Sequence, residues 1–181
     1  IGEAVLTNVN GADANTAVGH QSLYSNTTAN NNTAAGFQAG YSNTTGGNNV
    51  FDGYRAGYSN TTGVSNVATG LQSFFNSTTG SYNVAIGQQA LQANTTASNN
   101  TAVGYQAGYY TTTANRLTAI GQFAGYGQAT GAENTYVGYS SGPNTIANAS
   151  GQFNTSLGAF SLYSNTTASY NTAVGYQAGY A

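Results

Sequence analysis

Glycine returns every 17 residues along this chain, at Gly2, Gly19, Gly36, Gly53, Gly70, Gly87, Gly104, Gly121 and Gly138. Three extra residues then intervene before Gly158, and Gly175 resumes the period. With this glycine as position 0, other sites repeat in phase with it. Position −4 carries the ladder Asn15, Asn32, Asn49, Asn66, Asn83 and Asn100, is broken at Leu117, and resumes at Asn134, Asn154 and Asn171. Position −3 is Thr or Val throughout. Position −1 is mostly aliphatic, position +3 is Ala or Ser, and position +5 is largely aromatic. A Ser-Asn-Thr-Thr stretch follows at Ser25–Thr28, Ser42–Thr45, Ser59–Thr62 and Ser164–Thr167. A period this short cannot hold the helix pairs of ankyrin or TPR repeats, which need about 33 residues or more.

Each repeat must therefore be one coil of extended chain. Asn-Thr-Ala-Val-Gly alternates with period two, and β-branched residues at −3 and −1 favour a strand. The glycine then permits a bend or a close backbone approach, and the Asn-Thr-Thr stretch reads as a turn or a short second strand. The expected fold is all-β: a parallel β-solenoid, or β-roll, of about ten 17-residue coils. Residues 1–181 form one domain, with the insertion between Gly138 and Gly158 and a bulging loop around Pro143–Asn148. Coils stacked about 4.8 Å apart make a rod on the order of 50 Å long. In-register coils align like side chains, so the Asn row pairs its amides. The aromatic row Tyr24, Tyr41, Tyr58, Tyr109, Tyr126, Tyr163 and Tyr180 stacks its rings. The expected repeat core is Val18, Ile86, Val103, Ile120, Val137, Leu157 and Val174.

Such a core is thin, and little apolar area per coil is set against the ordering entropy of the backbone. Side-by-side association would bury the remaining Tyr, Phe and Leu sites. The expected partner is therefore the chain itself, as a homotrimer or an end-to-end polymer, since both ends fall mid-pattern and open sheet edges invite stacking. The absence of an initiating methionine points to a processed chain or an excised segment.

Charge narrows the function. Two arginines and four carboxylates make only 3% of the chain, against roughly 25% in ordinary soluble domains. With no lysine there is no basic patch, and nucleic-acid binding is not expected. No run approaches the roughly 20 apolar residues of a membrane span, so no membrane insertion is expected. There is no cysteine, and His20 is the only histidine, so no Ser-His or Cys-His pair can be assembled. His20 sits at +1 in place of Phe37, Tyr54 or Tyr105, as a ladder variant. Asp52 and Arg55 are expected to form a local ion pair. The acids do not recur from coil to coil as a calcium β-roll requires, so neither metal nor cofactor is expected. An enzyme is not expected.

The Asn-Thr-Thr stretches and their Asn-Ser-Thr variant also spell Asn-x-Ser/Thr acceptors, at Asn26, Asn43, Asn60, Asn76, Asn94 and Asn165. These would place a row of sugars on one face if the source glycosylates. Threonine rows beginning at Thr27 and Thr28 raise an alternative function, an ice-binding surface. Adjacent strand residues point to opposite faces, however, so both rows cannot face outward.

The runs Asn15–Gly19, Asn100–Gly104 and Asn171–Gly175, with Asn83-Val84-Ala85-Ile86-Gly87, resemble the head repeat of YadA-like trimeric autotransporter adhesins. They are also similar to repeats in phage tail fibres and other surface filaments. The resemblance implies a left-handed parallel β-roll, three chains about one axis, and a role in surface attachment. The repeat is longer than the adhesin's, because Tyr-Ser-Asn-Thr-Thr has no counterpart there. The expected function is thus a structural fibre or adhesin segment, extracellular, on a cell surface or on a virion. It would meet a surface glycan or host receptor through its tyrosine-rich rows.

Overall fold

The computed structural model describes residues 11–144 and 148–180. Among these there is no helix. Ten three-residue strands, β1 (Thr16–Val18), β2 (Thr33–Ala35), β3 (Val50–Asp52), β4 (Val67–Thr69), β5 (Val84–Ile86), β6 (Thr101–Val103), β7 (Thr118–Ile120), β8 (Thr135–Val137), β9 (Thr155–Leu157) and β10 (Thr172–Val174), form one sheet. Their spatial order is their sequence order, and every pair is parallel. Thr16 pairs with Thr33, Thr33 with Val50, and so on, so the register equals the repeat. The fold is a parallel β-solenoid.

The hydrogen bonds continue past the strands. Gly36 N–H donates to Val18 O at 2.8 Å, Gln38 N–H to His20 O at 2.9 Å, and Gly40 N–H to Ala56 O at 2.9 Å. Turn backbone is thereby satisfied by the neighbouring coil, as buried peptide groups require. The coil closes through left-handed corners at −5, +2 and +4, where even Asn31, Gln38 and Leu91 have φ of 60°, 54° and 49°. Isolated, such residues cost on the order of 1 kcal/mol each; here the inter-coil hydrogen bonds hold them.

The position-0 glycine answers to a stricter demand. Its φ runs from 123° at Gly19 to 139° at Gly104, and a Cβ on Gly19 would lie 2.5 Å from the Gly36 carbonyl oxygen. Backbone stacks directly on backbone there, so no side chain fits.

The core corrects the sequence expectation. Ala34, Ala68, Ala85, Ala102 and Ala119 at −2 are fully buried, together with Ala39, Ala56, Ser73, Ala90 and Ala107 at +3. Val18, Ile86, Ile120, Leu157 and Val174 point outward instead, 40% to 65% exposed, and Val103 and Val137 are only half-buried. The reason is space. A three-residue strand sends −2 inward and −3 and −1 outward, and the coil is too narrow for a row of branched side chains.

Larger groups enter by exchange. Phe51 occupies −2 opposite Gly40, whose Cβ would lie 2.6 Å from the ring. Tyr136 does the same beside Gly125 and Gly142, at 2.9 and 2.6 Å. Where −2 is Ala68 or Ala85, position +4 supplies Phe74 or Leu91, both fully buried. In the ninth coil Ser156 at −2 instead joins Ser141 and Ser161 in a buried hydroxyl cluster.

The insertion leaves the ladder intact. Gly127 N–H donates to Pro143 O at 2.7 Å, Ala149 pairs with Gln128, and Thr135 still faces Thr155. Thr145, Ile146 and Ala147 lie outside the described residues.

Candidate contact surfaces

Two asparagine rows line the interior. At −4, each Oδ1 accepts the backbone N–H of the next coil's counterpart, as in Asn49 N to Asn32 Oδ1 and Asn66 N to Asn49 Oδ1, both 2.9 Å. Most Nδ2 groups cross the core to a turn carbonyl, Asn49 to Gly63 O at 2.9 Å and Asn66 to Gly80 O at 2.8 Å, whereas Asn32 Nδ2 has no partner. Amide-to-amide contacts are secondary, as at Asn83 to Asn66 Oδ1, 3.1 Å. The row is thus a strap between opposite walls more than a stack of paired amides. Leu117 keeps its backbone donation to Asn100 Oδ1 at 2.8 Å, while Asn100 Nδ2 is left without a partner.

The second row is the one expected to carry sugars. Asn26, Asn43, Asn60 and Asn94 are fully buried. Their Nδ2 atoms donate to Ala29, Gly46, Gly63 and Ala97 carbonyls at 3.2, 2.8, 3.0 and 3.3 Å. Gly63 O therefore receives both Asn49 and Asn60, which clamps the turn to the strand. An amide nitrogen so placed cannot receive a glycan, and the expected row of sugars is ruled out at these four positions. Asn165 is half-buried and bonds Ala168 O, whereas Asn76, one residue out of phase, is exposed. Ser77 and Thr111 interrupt the row, and Asn60 Oδ1 and Asn94 Oδ1 lack partners there.

The threonine rows also divide. Hydroxyls of Thr27, Thr44, Thr61, Thr78, Thr95 and Thr112 donate to carbonyls of the next coil at 2.9 to 3.2 Å. They belong to the wall. Thr28, Thr79 and Thr130 are exposed.

Among the described residues no three His, Cys, Asp or Glu side chains gather. His20 stacks on Phe37 with centroids 5.5 Å apart. The expected Asp52–Arg55 ion pair is not formed, because the glycine bend separates the two residues. Arg55 Nε donates to Gln38 Oε1 at 2.8 Å, and its guanidinium lies 5.3 Å from the Tyr54 centroid and 5.4 Å from that of Tyr58. The one ion pair among the described residues joins Arg116 to Glu133 across neighbouring coils, on the surface.

Two outer surfaces remain. The first is the outward face of the sheet, with Thr or Val at −3 and Val, Ile or Leu at −1 except at Ala35, Asp52 and Thr69. Among the described residues Asp52 is its only charge. The second follows the bend and carries the aromatics of +1, +2 and +5. In the early coils these rings stack in parallel: Tyr24 on Tyr41, Tyr41 on Tyr58 and Tyr58 on Phe75, at 5.1 to 5.2 Å and within 13° of coplanar. Phe37 and Tyr54 stack likewise, at 5.4 Å and 11°. Later coils add crossed contacts, Tyr110 against Tyr109 and Tyr126, and Phe123 against Tyr126, at 79° to 85°. Crowding has an electrostatic consequence. Burial first, then a hydrogen bond with Tyr110, pushes the Tyr126 phenol up to about 12; burial also raises Tyr109.

A cleft lined by Leu162, Thr166, Asn171 and Gly179 sits at the C-terminal end of the rod, among groups that the next coil covers elsewhere. No family model, curated protein or solved structure matches the chain.

Proposed function

We propose that this solenoid is a structural segment of an extracellular or virion-borne fibre or adhesin, working as a rigid rod that associates side by side with copies of itself. The observation that carries this is the outward sheet face. Val18, Ile86, Ile120, Leu157 and Val174 at −1, with Val50 at −3, are 38% to 65% exposed, in a file that Ala35, Asp52 and Thr69 interrupt in the second to fourth coils. Monomeric soluble proteins rarely leave so long an apolar strip uncovered. The near absence of charge on that face supports close lateral packing, and the resemblance of Asn-Thr-Ala-Val-Gly to adhesin head repeats supports a trimer. The aromatic surface around the bend is left to meet a surface glycan or a host receptor.

Sedimentation at micromolar concentration tests the association. A trimer, or a larger assembly that falls to monomer in an Ile86→Asp, Ile120→Asp variant, is the expected result. A stable monomer of the unaltered chain overturns it.

Ice binding is the second reading, favoured by one observation. Thr101, Thr118, Thr135, Thr155 and Thr172 form an in-register file at −3 on the outward sheet face. Its neighbour at −1 in the same strands is aliphatic, Val103, Ile120, Val137, Leu157 and Val174, so the face carries a single threonine file and lacks the Thr-x-Thr pairing of a flat ice-binding strand. Thermal hysteresis in the unaltered chain would reverse the order of the two readings.

A further inference from the structure

The +1 and +2 positions of the later coils carry a feature that the repeat does not require. Tyr105, Phe123, Tyr139, Phe160 and Tyr176 form a continuous chain of rings with centroids 5.2, 6.2, 5.1 and 6.2 Å apart. Each ring is turned 79°, 75°, 80° and 82° from the one before it. We propose that this crossed chain is a binding track for an uncharged, extended, β-linked polysaccharide lying along the rod axis. It rests on the reading above that the aromatic surface is a contact surface.

Three observations carry it. The first is which part of each ring is free. In a parallel stack both faces of an inner ring are covered by its neighbours, and solvent meets only edges. In a crossed chain each contact covers one face where a parallel contact covers two, so more faces stay open to a ligand. The C–H face of a pyranose packs on such a ring face, while exposed Tyr105, Tyr139 and Tyr176 hydroxyls and Gln122 can bond its equatorial hydroxyls.

The second is periodicity. Tyrosines recur at +1 in alternate coils, at Tyr105, Tyr139 and Tyr176, while the intervening coils put Phe123 and Phe160 at +2. Like rings therefore return every second coil, about 9.6 Å apart at the usual strand spacing. An extended β-linked chain also repeats by the disaccharide, because successive sugars are flipped, and its repeat is of that order. A curled α-linked chain has no such repeat along a line. No charged residue occupies +1, +2 or +5 in these coils, which suits a neutral polymer.

The third is conformation. Position +2 is left-handed in every coil, and Gln21, Gln38, Gln72, Gln89, Gln106 and Gln177 usually hold it. Phe123 and Phe160 take φ of 59° and 58° there, an unfavourable state for a bulky residue. Neither lies in the core, so packing of the interior does not demand them. Strain held without a folding reason points to function.

Affinity electrophoresis in gels containing hydroxyethyl cellulose, glucomannan or amylose tests the track. The unaltered chain is expected to be retarded by the two β-linked polymers and not by amylose. Changing Phe123→Gln with Phe160→Gln restores the residue used in other coils and should weaken retention about tenfold, from the loss of two ring faces. Changing Phe37→Gln with Tyr54→Gln, in the stacked region, should leave it unaltered. Absence of retardation by both β-linked polymers, equal retardation by amylose, or equal loss in the two double variants overturns the proposal. Sedimentation of the same samples separates the two ideas: rods that associate but bind no β-glucan overturn the track alone.

Discussion

The first four coils and the last five share one backbone and keep stacked +5 pairs, Tyr163 on Tyr180 being as parallel as Tyr24 on Tyr41, but they differ in how the rings at +1 and +2 meet. In the former, Tyr24, Tyr41, Tyr58 and Phe75 lie parallel at +5, with His20, Phe37 and Tyr54 parallel at +1. Gln21, Gln38 and Arg55 run between the two files as a polar seam, linked at 2.8 Å. In the latter, Phe123 and Phe160 replace that seam and join the files into one crossed surface. A single position, +2, decides whether the +1 and +5 files stay separate ladders or are joined by crossed rings. The scaffold is indifferent to the choice, because +2 points away from the core.

That indifference can be broken at the scaffold, where the largest effects are expected. Gly70→Ala in the fourth coil and Gly104→Ala in the sixth should each cost about 3 kcal/mol or more, since a Cβ meets the next coil's backbone at 2.7 and 2.5 Å. Denaturant titration should find the two losses alike. Unequal losses would mean that the two regions differ in backbone as well as in rings.

Phe51→Ala should cost roughly 3–5 kcal/mol, the usual range for emptying a core aromatic site. Adding Gly57→Leu, which imitates the Ala85 and Leu91 pairing two coils later, should recover about half of it, read by the same titration. Failure to recover any would refute the exchange between −2 and +4.

Tyr136→Phe has a smaller effect with a distinct pH signature. The Tyr136 hydroxyl donates to Gln128 Oε1 at 2.9 Å, and burial pushes its ionisation well above the ordinary tyrosine value of 10.0. The folded state thus holds the proton more tightly than the unfolded one. Its stabilising contribution is complete below about pH 10 and is lost as pH rises from there through the raised value. The variant should lose about 1 kcal/mol at neutral pH, from the orphaned amide oxygen. Its stability should then fall less steeply above pH 10. An unchanged alkaline slope would leave Tyr109 and Tyr126 as its source.

The smallest effects test the comparison itself. Tyr41→Gln removes two parallel contacts and should cost about 1 kcal/mol. Phe123→Gln should change stability by less than that, since it relieves an unfavourable φ while losing crossed contacts. Melting curves that show the reverse would make the crossed rings structural and the stacked ones dispensable.

Much of the fold was legible because the repeat is exact in phase. A glycine, an asparagine and a small residue recurring every 17 positions admit coils and exclude helix pairs on length alone. Which side of the strand faced in was harder to read. Val18 and Ile86 carry more apolar area than Ala17 and Ala85, so hydrophobicity pointed to the wrong file. The better signal was smallness: Ala at −2 and Ala or Ser at +3 repeat together, the mark of walls in close contact. The Asn-Thr-Thr run does bend the chain, but its reading as a glycan acceptor failed for a similar reason: in the solenoid its asparagine points inward to satisfy a carbonyl.

The amino-acid sequence by itself determined the coil length, the parallel register and the number of turns, because strict periodicity leaves a stacked chain no other pairing. Only the tertiary structure decided which files are buried. That choice depends on the width of the coil, which closes through left-handed corners at residues that do not announce them. It likewise decided how the rings meet, since a ring's neighbours come from the coils on either side and from position +2, not from its own motif.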